Sequence, residues 1–353
     1  MSTVASSRSG LDPRELHALI GVSERHLRAL AGASIMITGA TGWFGVWLLD
    51  AICAADDLLS LKLKIVAVSR NPGRFLSRFR GFAGDRRISW IEADVRNLEV
   101  SRSGFSHVIH AAADTTAGPD PGAQRHLFDT VIDGTRRVIA AAGPQCKSFL
   151  LVSSGAIYGS PKTPGYRFSE SQSGGPDPSI MRNCYAEGKR AAEQLCAIAA
   201  GEGMPTRIAR CFAFVGPHMP FDRHFAIGNF IADAVRGSPI LVKSDGRPMR
   251  SYLYMSDLIS ALLAILAEGA SGRPYNVGSD KGFTIEQVAH CVNQVVGGSG
   301  VIIQGDRSDP GDQYVPDTSR LARELNVSQR VGLESAIART AAWYRAHVRP
   351  AVT

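Results

Sequence analysis

The sequence predicts an α/β protein: a doubly wound parallel sheet followed by a smaller C-terminal α/β lobe. Three observations carry this. Short apolar runs alternate with helical stretches through residues 33–211, the pattern of a parallel sheet covered on both faces. The first of those runs leads into a glycine triplet that opens a helix. Beyond residue 212 the rhythm breaks into short pieces at Gly216-Pro217, Gly237-Ser238-Pro239, Asp245-Gly246, Gly272-Arg273-Pro274, Gly297-Gly298 and Pro310-Gly311.

Taken in order, residues 1–32 read as an N-terminal helical extension. Asp12 caps a helix with Pro13 at its first position, and Leu16, Leu19, Ile20, Leu27 and Leu30 form its apolar stripe. Residues 33–211 form the first domain, with strands at 34–37, 65–68, 88–92, 107–111, 149–152 and 207–210. Helices fall at 44–55, 126–142 and 183–200. Residues 212–353 form mainly the second lobe, with helices at 226–235, 256–267, 285–296 and 333–346 and some segments returning to the first domain.

Composition excludes a largely disordered chain: of 353 residues, 44% are hydrophobic and 20% charged. The net charge of +7 rests on 32 Arg and only seven Lys, which brings anionic partners to mind, although a solvated surface explains the same excess. The densest basic group, Arg74, Arg78, Arg80, Arg86 and Arg87, is not a contiguous run, so no nucleic-acid partner is expected. The cysteines (Cys53, Cys146, Cys184, Cys196, Cys211 and Cys291) lack metal-ligand spacing, so neither a metal site nor a disulfide framework is expected. With no apolar run of membrane-spanning length and no signal-like start, a cytoplasmic protein with no membrane partner is expected.

Two motifs carry chemistry. In the first, Ile37-Thr38-Gly39-Ala40-Thr41-Gly42-Trp43-Phe44-Gly45, Gly39 permits a tight turn and Gly42 lets backbone amides approach a pyrophosphate. Gly45 lets the helix pack closely on the strand, and Trp43 covers the turn. The second motif is Tyr185 and Lys189, four apart on one helix and so on one face. A phenol with a pKa of about 10 is a poor base near neutrality, and an adjacent ammonium makes it a usable one. Upstream, a strand delivers Ser154 in Ser153-Ser154-Gly155-Ala156-Ile157-Tyr158-Gly159.

Together these motifs resemble the extended branch of the short-chain dehydrogenase/reductase superfamily, the NAD(P)-dependent nucleotide-sugar epimerases and dehydratases, over nearly the whole chain. The resemblance implies a Rossmann-type sheet and a catalytic set of Ser154, Tyr185 and Lys189. It implies cofactor contacts at Gly39, Thr41, Gly42, Trp43, Phe44, Gly45, Ser69, Arg70, Asp94, Val95, Ala111, Ala112, Ala113, Tyr185, Lys189 and Phe212. A nucleotide-sugar substrate would be held by Ser154, Asn229 and Arg250. Relatives that use NAD end the second strand in Asp or Glu; here it ends in Ser69-Arg70, and the guanidinium favours NADP over NAD. Helices 126–142 and 183–200 correspond to the family's dimer interface, so a homodimer is expected.

Some positions depart from the family pattern: Ala213 replaces a sugar-orienting Asn, Ser251 an Asp after Arg250, and Val131 an Asn before Gly134-Thr135. Dehydratases place an acid and a base directly after the catalytic hydroxyl, and decarboxylases keep a Glu nearby. Gly155 and Ala156 can move no proton, so both reactions are disfavoured. What remains is 4-epimerisation through a 4-keto sugar, with Tyr185 as acid and base, or reduction of a 4-keto sugar by NADPH. A catalytically silent binding protein of the same fold is the alternative of another class. His218 and His224 flank a loop able to touch substrate, but read more simply as packed loop histidines.

Overall fold

The computed structural model describes residues 6–99, 104–113, 118–160, 165–221, 225–305 and 312–347. Its strands are β1 (Ser34–Thr38), β2 (Lys64–Ser69), β3 (Ile88–Glu92), β4 (His107–His110), β5 (Ser148–Ser154), β6 (Thr206–Cys211), β7 (Phe214–Val215), β8 (Ile240–Val242), β9 (Met249–Arg250), β10 (Leu253–Tyr254), β11 (Pro274–Val277), β12 (Phe283–Thr284), β13 (Val301–Ile303) and β14 (Gln313–Tyr314). Its helices are α1 (Pro13–Ala29), α2 (Trp43–Leu59), α3 (Pro72–Arg78), α4 (Pro121–Ala142), α5 (Cys184–Gly201), α6 (Ala226–Val235), α7 (Met255–Glu268), α8 (Ile285–Val296), α9 (Ser319–Leu325) and α10 (Leu333–His347).

Seven strands form one sheet in the order β11-β6-β5-β4-β1-β2-β3, and every pairing in it is parallel. A parallel sheet with both faces covered needs strands apolar throughout, and β5 is buried at every position. Strand order reverses between β1 and β4, so the loops that leave these two strands diverge and open a crevice at their carboxyl ends. This is the Rossmann-type architecture the sequence predicts.

The helix α2 is apolar over most of its surface because it shares the core with the sheet and is also packed against α1 and α7. Asp12 caps α1 by accepting from the Arg14 amide, and Leu16, Leu19, Ile20 and Leu27 bury its inner face against α2 and α7. Residues before the helix are tied down as well. The fully buried Asp50 carboxylate accepts from Ser7 Oγ, the Arg8 amide, and both the amide and the hydroxyl of Ser9, at 2.5–3.0 Å. Arg8 and Arg87 extend this into a cluster with Asp57 and Asp85.

Besides the short strands of the C-terminal part, three elements fall where sequence patterning shows none. The seventh strand, β11, starts on Pro274, a residue a sheet tolerates as the first of an edge strand. Short α3 and α9 span seven residues each, too few to display a helical period. Three small sheets serve the C-terminal part, and in one of them β9 pairs with β14 so that Arg250 stands in register with Tyr314. No described helix is long and apolar enough to cross a membrane. All six cysteines are free, and no group of metal-ligating side chains occurs among the described residues.

Candidate active site

The crevice begins at the turn after β1. Gly39 has φ +69°, and a Cβ there would lie 2.8 Å from the Ala111 backbone, so only glycine lets β1 and β4 lie this close. At Gly45 a Cβ would meet the Ala40 carbonyl at 2.3 Å, which explains the close packing of α2 on the turn. The α2 N-cap is Gly42, and no side chain caps the first amides of the helix. The turn that leads into the helix borders a cavity of about 450 Å³ whose lining includes Gly39, Thr41, Gly42, Ser69, Arg70, Asp94, Val95, Ala111, Ala112 and Ala113. Open amides at a helix N-terminus beside an elongated cleft fit a dinucleotide pyrophosphate and its adenosine arm.

Of the sequence-derived cofactor set, Trp43, Phe44, Gly45 and Phe212 stand outside this lining. Trp43 donates its indole N–H to the Pro217 carbonyl at 2.8 Å, and Phe44 packs edge-on against Phe214. Both therefore tie the glycine turn to the C-terminal part of the chain. Phe212 joins an aromatic cluster with Tyr158, Phe168 and Tyr314. Beneath the turn, buried His110 bridges Thr38 Oγ1 (2.7 Å) and Thr135 Oγ1 (3.1 Å), and burial pushes its pKa down to about 3. It is a neutral strut between β1, β4 and α4.

At the carboxyl end of the sheet, β5 ends at Ser154, and α5 presents Tyr185 and Lys189 one turn apart. Burial pushes the Tyr185 phenol up to about 12, with the Ser154 hydroxyl acting in the opposite sense. The Lys189 ammonium is 3% exposed, donates to the Val152 carbonyl at 2.7 Å, and is 5.9 Å from the centre of the Tyr185 ring. Burial lowers its pKa to about 8. Such a set can take a proton from a hydroxyl held at Ser154 and return it, provided added positive charge favours the phenolate.

A buried brace holds this set in place. Ser153 Oγ donates to Glu193 at 2.6 Å, Arg210 pairs with Glu193 at 2.7 Å, and Arg210 donates to the Tyr158 hydroxyl, which donates to Asn276. Thus β5, α5, β6 and β11 meet in one hydrogen-bonded cluster behind the site. The substrate-side candidates stand on separate elements, Asn229 half-buried on α6 and Arg250 on β9. Arg250 is paired with the Asp312 carboxylate at 2.9 Å. His218 is packed between Phe79 and Trp343, and His224 lies outside the described residues. One residue that sequence reasoning missed is Tyr314, whose hydroxyl lies 3.5 Å from Ser154 Oγ.

Residues 35–278 match the model of the NAD dependent epimerase/dehydratase family. The chain belongs to that family. UDP-glucuronic acid decarboxylase 1 of Arabidopsis thaliana is 29% identical over 328 residues, covering 92% of this chain and 72% of that protein. Two solved structures share the fold. UDP-glucuronic acid 4-epimerase from Bacillus cereus, in complex with UDP-glucuronic acid and NAD, has a TM-score of 0.76 at 20% identity and covers 89% of this chain and 99% of its own. dTDP-glucose 4,6-dehydratase from Bacillus anthracis, in complex with NAD, has a TM-score of 0.75 at 18% identity, with coverage of 90% and 97%.

These family members correct two expectations. The first is NADP: the solved relatives hold NAD, and nothing favours NADP. The reasoning from Arg70 fails because a carboxylate shares its cavity. Asp94 is held down to about 2, first by its hydrogen bond from Arg96 and with an electrostatic contribution from Arg70. A guanidinium whose cavity also holds a carboxylate does not by itself report a 2′-phosphate. The second correction concerns decarboxylation and dehydration, disfavoured from Gly155 and Ala156, whereas relatives are decarboxylases and dehydratases. The residues after Ser154 are not a full inventory of the pocket, since Tyr314 brings a hydroxyl against Gly155 from β14. Moreover, a carboxylate β to a ketone leaves as CO2 without a proton being moved by a side chain at the breaking bond.

Proposed function

We propose that this protein oxidises C4 of a UDP-linked uronic acid and releases the C6 carboxyl group as CO2. The observation that carries the reading is the meeting of Ser154 at the end of β5 with Tyr185 on α5, one turn from the buried Lys189. The uronic acid comes from the decarboxylase relatives. NAD, when bound, supplies the hydride acceptor. Ser154 orients the C4 hydroxyl, Tyr185 takes its proton, and the Lys189 ammonium favours the phenolate that does so. The ketone formed lies β to the C6 carboxylate; breaking C5–C6 releases CO2 and leaves the electron pair in an enolate, which a proton then quenches at C5.

A second reading, 4-epimerisation of the same substrate, requires the same three residues and keeps the carboxylate. One incubation with UDP-glucuronic acid and NAD separates the two. Decarboxylation releases one CO2 per sugar, and epimerisation yields a product of unchanged mass with inverted C4 proton couplings. If neither product forms from UDP-glucuronic acid or its 2-acetamido analogue, the uronic-acid reading fails. The proposal includes a homodimer through α4 and α5, which leave Phe128 36% and Ile198 51% exposed; a monomeric sedimentation mass at micromolar concentration would count against it.

A further inference from the structure

Tyr314 is a titratable group inside the reaction pocket to which the C4 chemistry above gives no task. It arrives on β14, in register with Arg250 on β9. Its hydroxyl stands 3.5 Å from Ser154 Oγ and 3.5 Å from the Cys211 carbonyl. The ring is fixed by Phe212 at 4.7 Å between centroids, and the Arg250 guanidinium lies 6.0 Å from its centre. A Cβ added to Gly155 would come within 2.8 Å of both the Phe212 ring and the Tyr314 hydroxyl. Glycine at 155 is therefore what lets this phenol reach Ser154.

Counting hydrogen bonds gives the phenol a role. The Ser154 hydroxyl has one proton to donate and two lone pairs. One lone pair accepts the Ala156 amide at 3.1 Å. When Tyr185 is ionised its oxygen can only accept, so the Ser154 proton must point at it. In the substrate-free site the second lone pair of Ser154 is then the one a neighbouring donor can fill, and the Tyr314 hydroxyl is within reach. Burial raises the pKa of Tyr314 well above that of an ordinary phenol, so it keeps its proton and remains a donor.

We propose that Tyr314 is a positioning residue that donates to Ser154 and thereby commits the Ser154 proton to the Tyr185 oxygen, favouring ionised Tyr185. This rests on the acid–base role proposed above for Tyr185. With the site ionised, the chain runs Tyr314 to Ser154 to Tyr185, the Tyr314 proton turning to Ser154 rather than to the Cys211 carbonyl, the other acceptor at 3.5 Å. Tyr314 never changes protonation state, so no oxidant or further acid is required.

The test needs no substrate. With NAD bound, tyrosinate formation is followed by ultraviolet difference absorbance against pH, and Tyr185→Phe identifies the component that belongs to Tyr185. In Tyr314→Phe, which removes only the hydroxyl, that component is expected to titrate about one pH unit higher, a roughly tenfold loss of tyrosinate at fixed pH. NAD affinity and the thermal midpoint should stay at wild-type values. Ser154→Ala should give a shift in the same direction, and the double variant should add nothing to it, because Tyr314 acts through Ser154. An unchanged Tyr185 titration in Tyr314→Phe, or a double variant whose shift is the sum of the two, would overturn the relay. If uronic acids are not turned over but the titration shifts, the functional reading fails and the relay stands. Where turnover is measurable, the acid limb of the kcat/KM profile, which reports the enzyme before the sugar binds, should move up by the same amount in Tyr314→Phe.

Discussion

Tyr185 and Lys189 are each ill-suited to catalysis alone, and their environments explain why they are paired. Burial raises the phenol to about 12 and lowers the ammonium to about 8. Below about pH 8 Lys189 carries the charge that favours a phenolate; above it that help is lost. Lys189→Met is therefore expected to lower kcat by about 10²–10⁴-fold, the usual reach of acid–base catalysis, and Lys189→Arg should not rescue it. Steady-state kinetics with UDP-glucuronic acid checks both. Gly155→Ala should cost about 1–3 kcal/mol in urea unfolding, because its Cβ would press on Phe212 and Tyr314 at 2.8 Å. The positions of Ser154, Tyr185 and Lys189 were legible in the sequence because their relations are local: a strand end, and a four-residue helical spacing. Tyr314 was not, because its partner Ser154 is 160 positions away and meets it through a two-residue strand pairing. Arg70 was legible as a charge but not as a contact.

At the scale of elements, what reads as an N-terminal extension behaves as a third layer. Helix α1 closes over α2 and α7, with Ser23 hydrogen-bonded to Ser260 at 3.0 Å and the Tyr254 hydroxyl donating to Glu15 at 2.9 Å. The preceding residues are held by Asp50, which turns outward-facing polar groups into a buried cluster. Replacing Asp50 by Ala strands four donors and is expected to cost about 2–4 kcal/mol. Urea unfolding monitored by tryptophan fluorescence measures this, and a loss below about 1 kcal/mol, the net value of a single hydrogen bond, would mean the segment contributes little. The sequence displayed the α1 cap and apolar stripe, since both are periodic and near in the chain. It did not display Asp50 as an anchor, because a carboxylate within an apolar helix declares a partner without naming it. The edge strand β11 was hidden for a similar reason: Pro274 reads as a breaker until the parallel pairing with β6 shows it as the strand's first residue.

For the molecule as a whole, the net charge of +7 suggested anions, yet much of the arginine works internally. Arg8, Arg87, Arg96 and Arg210 all meet carboxylates, and even Arg250 stands paired with Asp312. Sheet topology and the phosphate turn were legible from alternation and glycine spacing; the fate of each charge was not, since it depends on three-dimensional neighbours. A global consequence comes from histidines instead. Burial lowers His107 to about 4, and His110 and His218 to about 3. An unfolded chain takes up protons at these groups near pH 6.5. Between about pH 6.5 and 4 the unfolded state therefore binds protons that the folded state refuses, so stability rises with pH and is lost on acidification. Asp85 and Asp94, held at about 2, act in the same direction below about pH 4, whereas the raised Glu15 and Asp257 oppose them. His218 isolates one such contribution, since neither ring nitrogen has a partner among the described residues. Its backbone has φ +64°, so His218→Phe carries a strain that is independent of pH, and only the slope is diagnostic. In the variant, unfolding free energy should fall less steeply across this window, by about 1.4 kcal/mol per pH unit, the equivalent of one proton. Urea unfolding at several pH values between about 7 and 4 measures both slopes, and identical slopes would show that His218 accepts its proton without unfolding the chain.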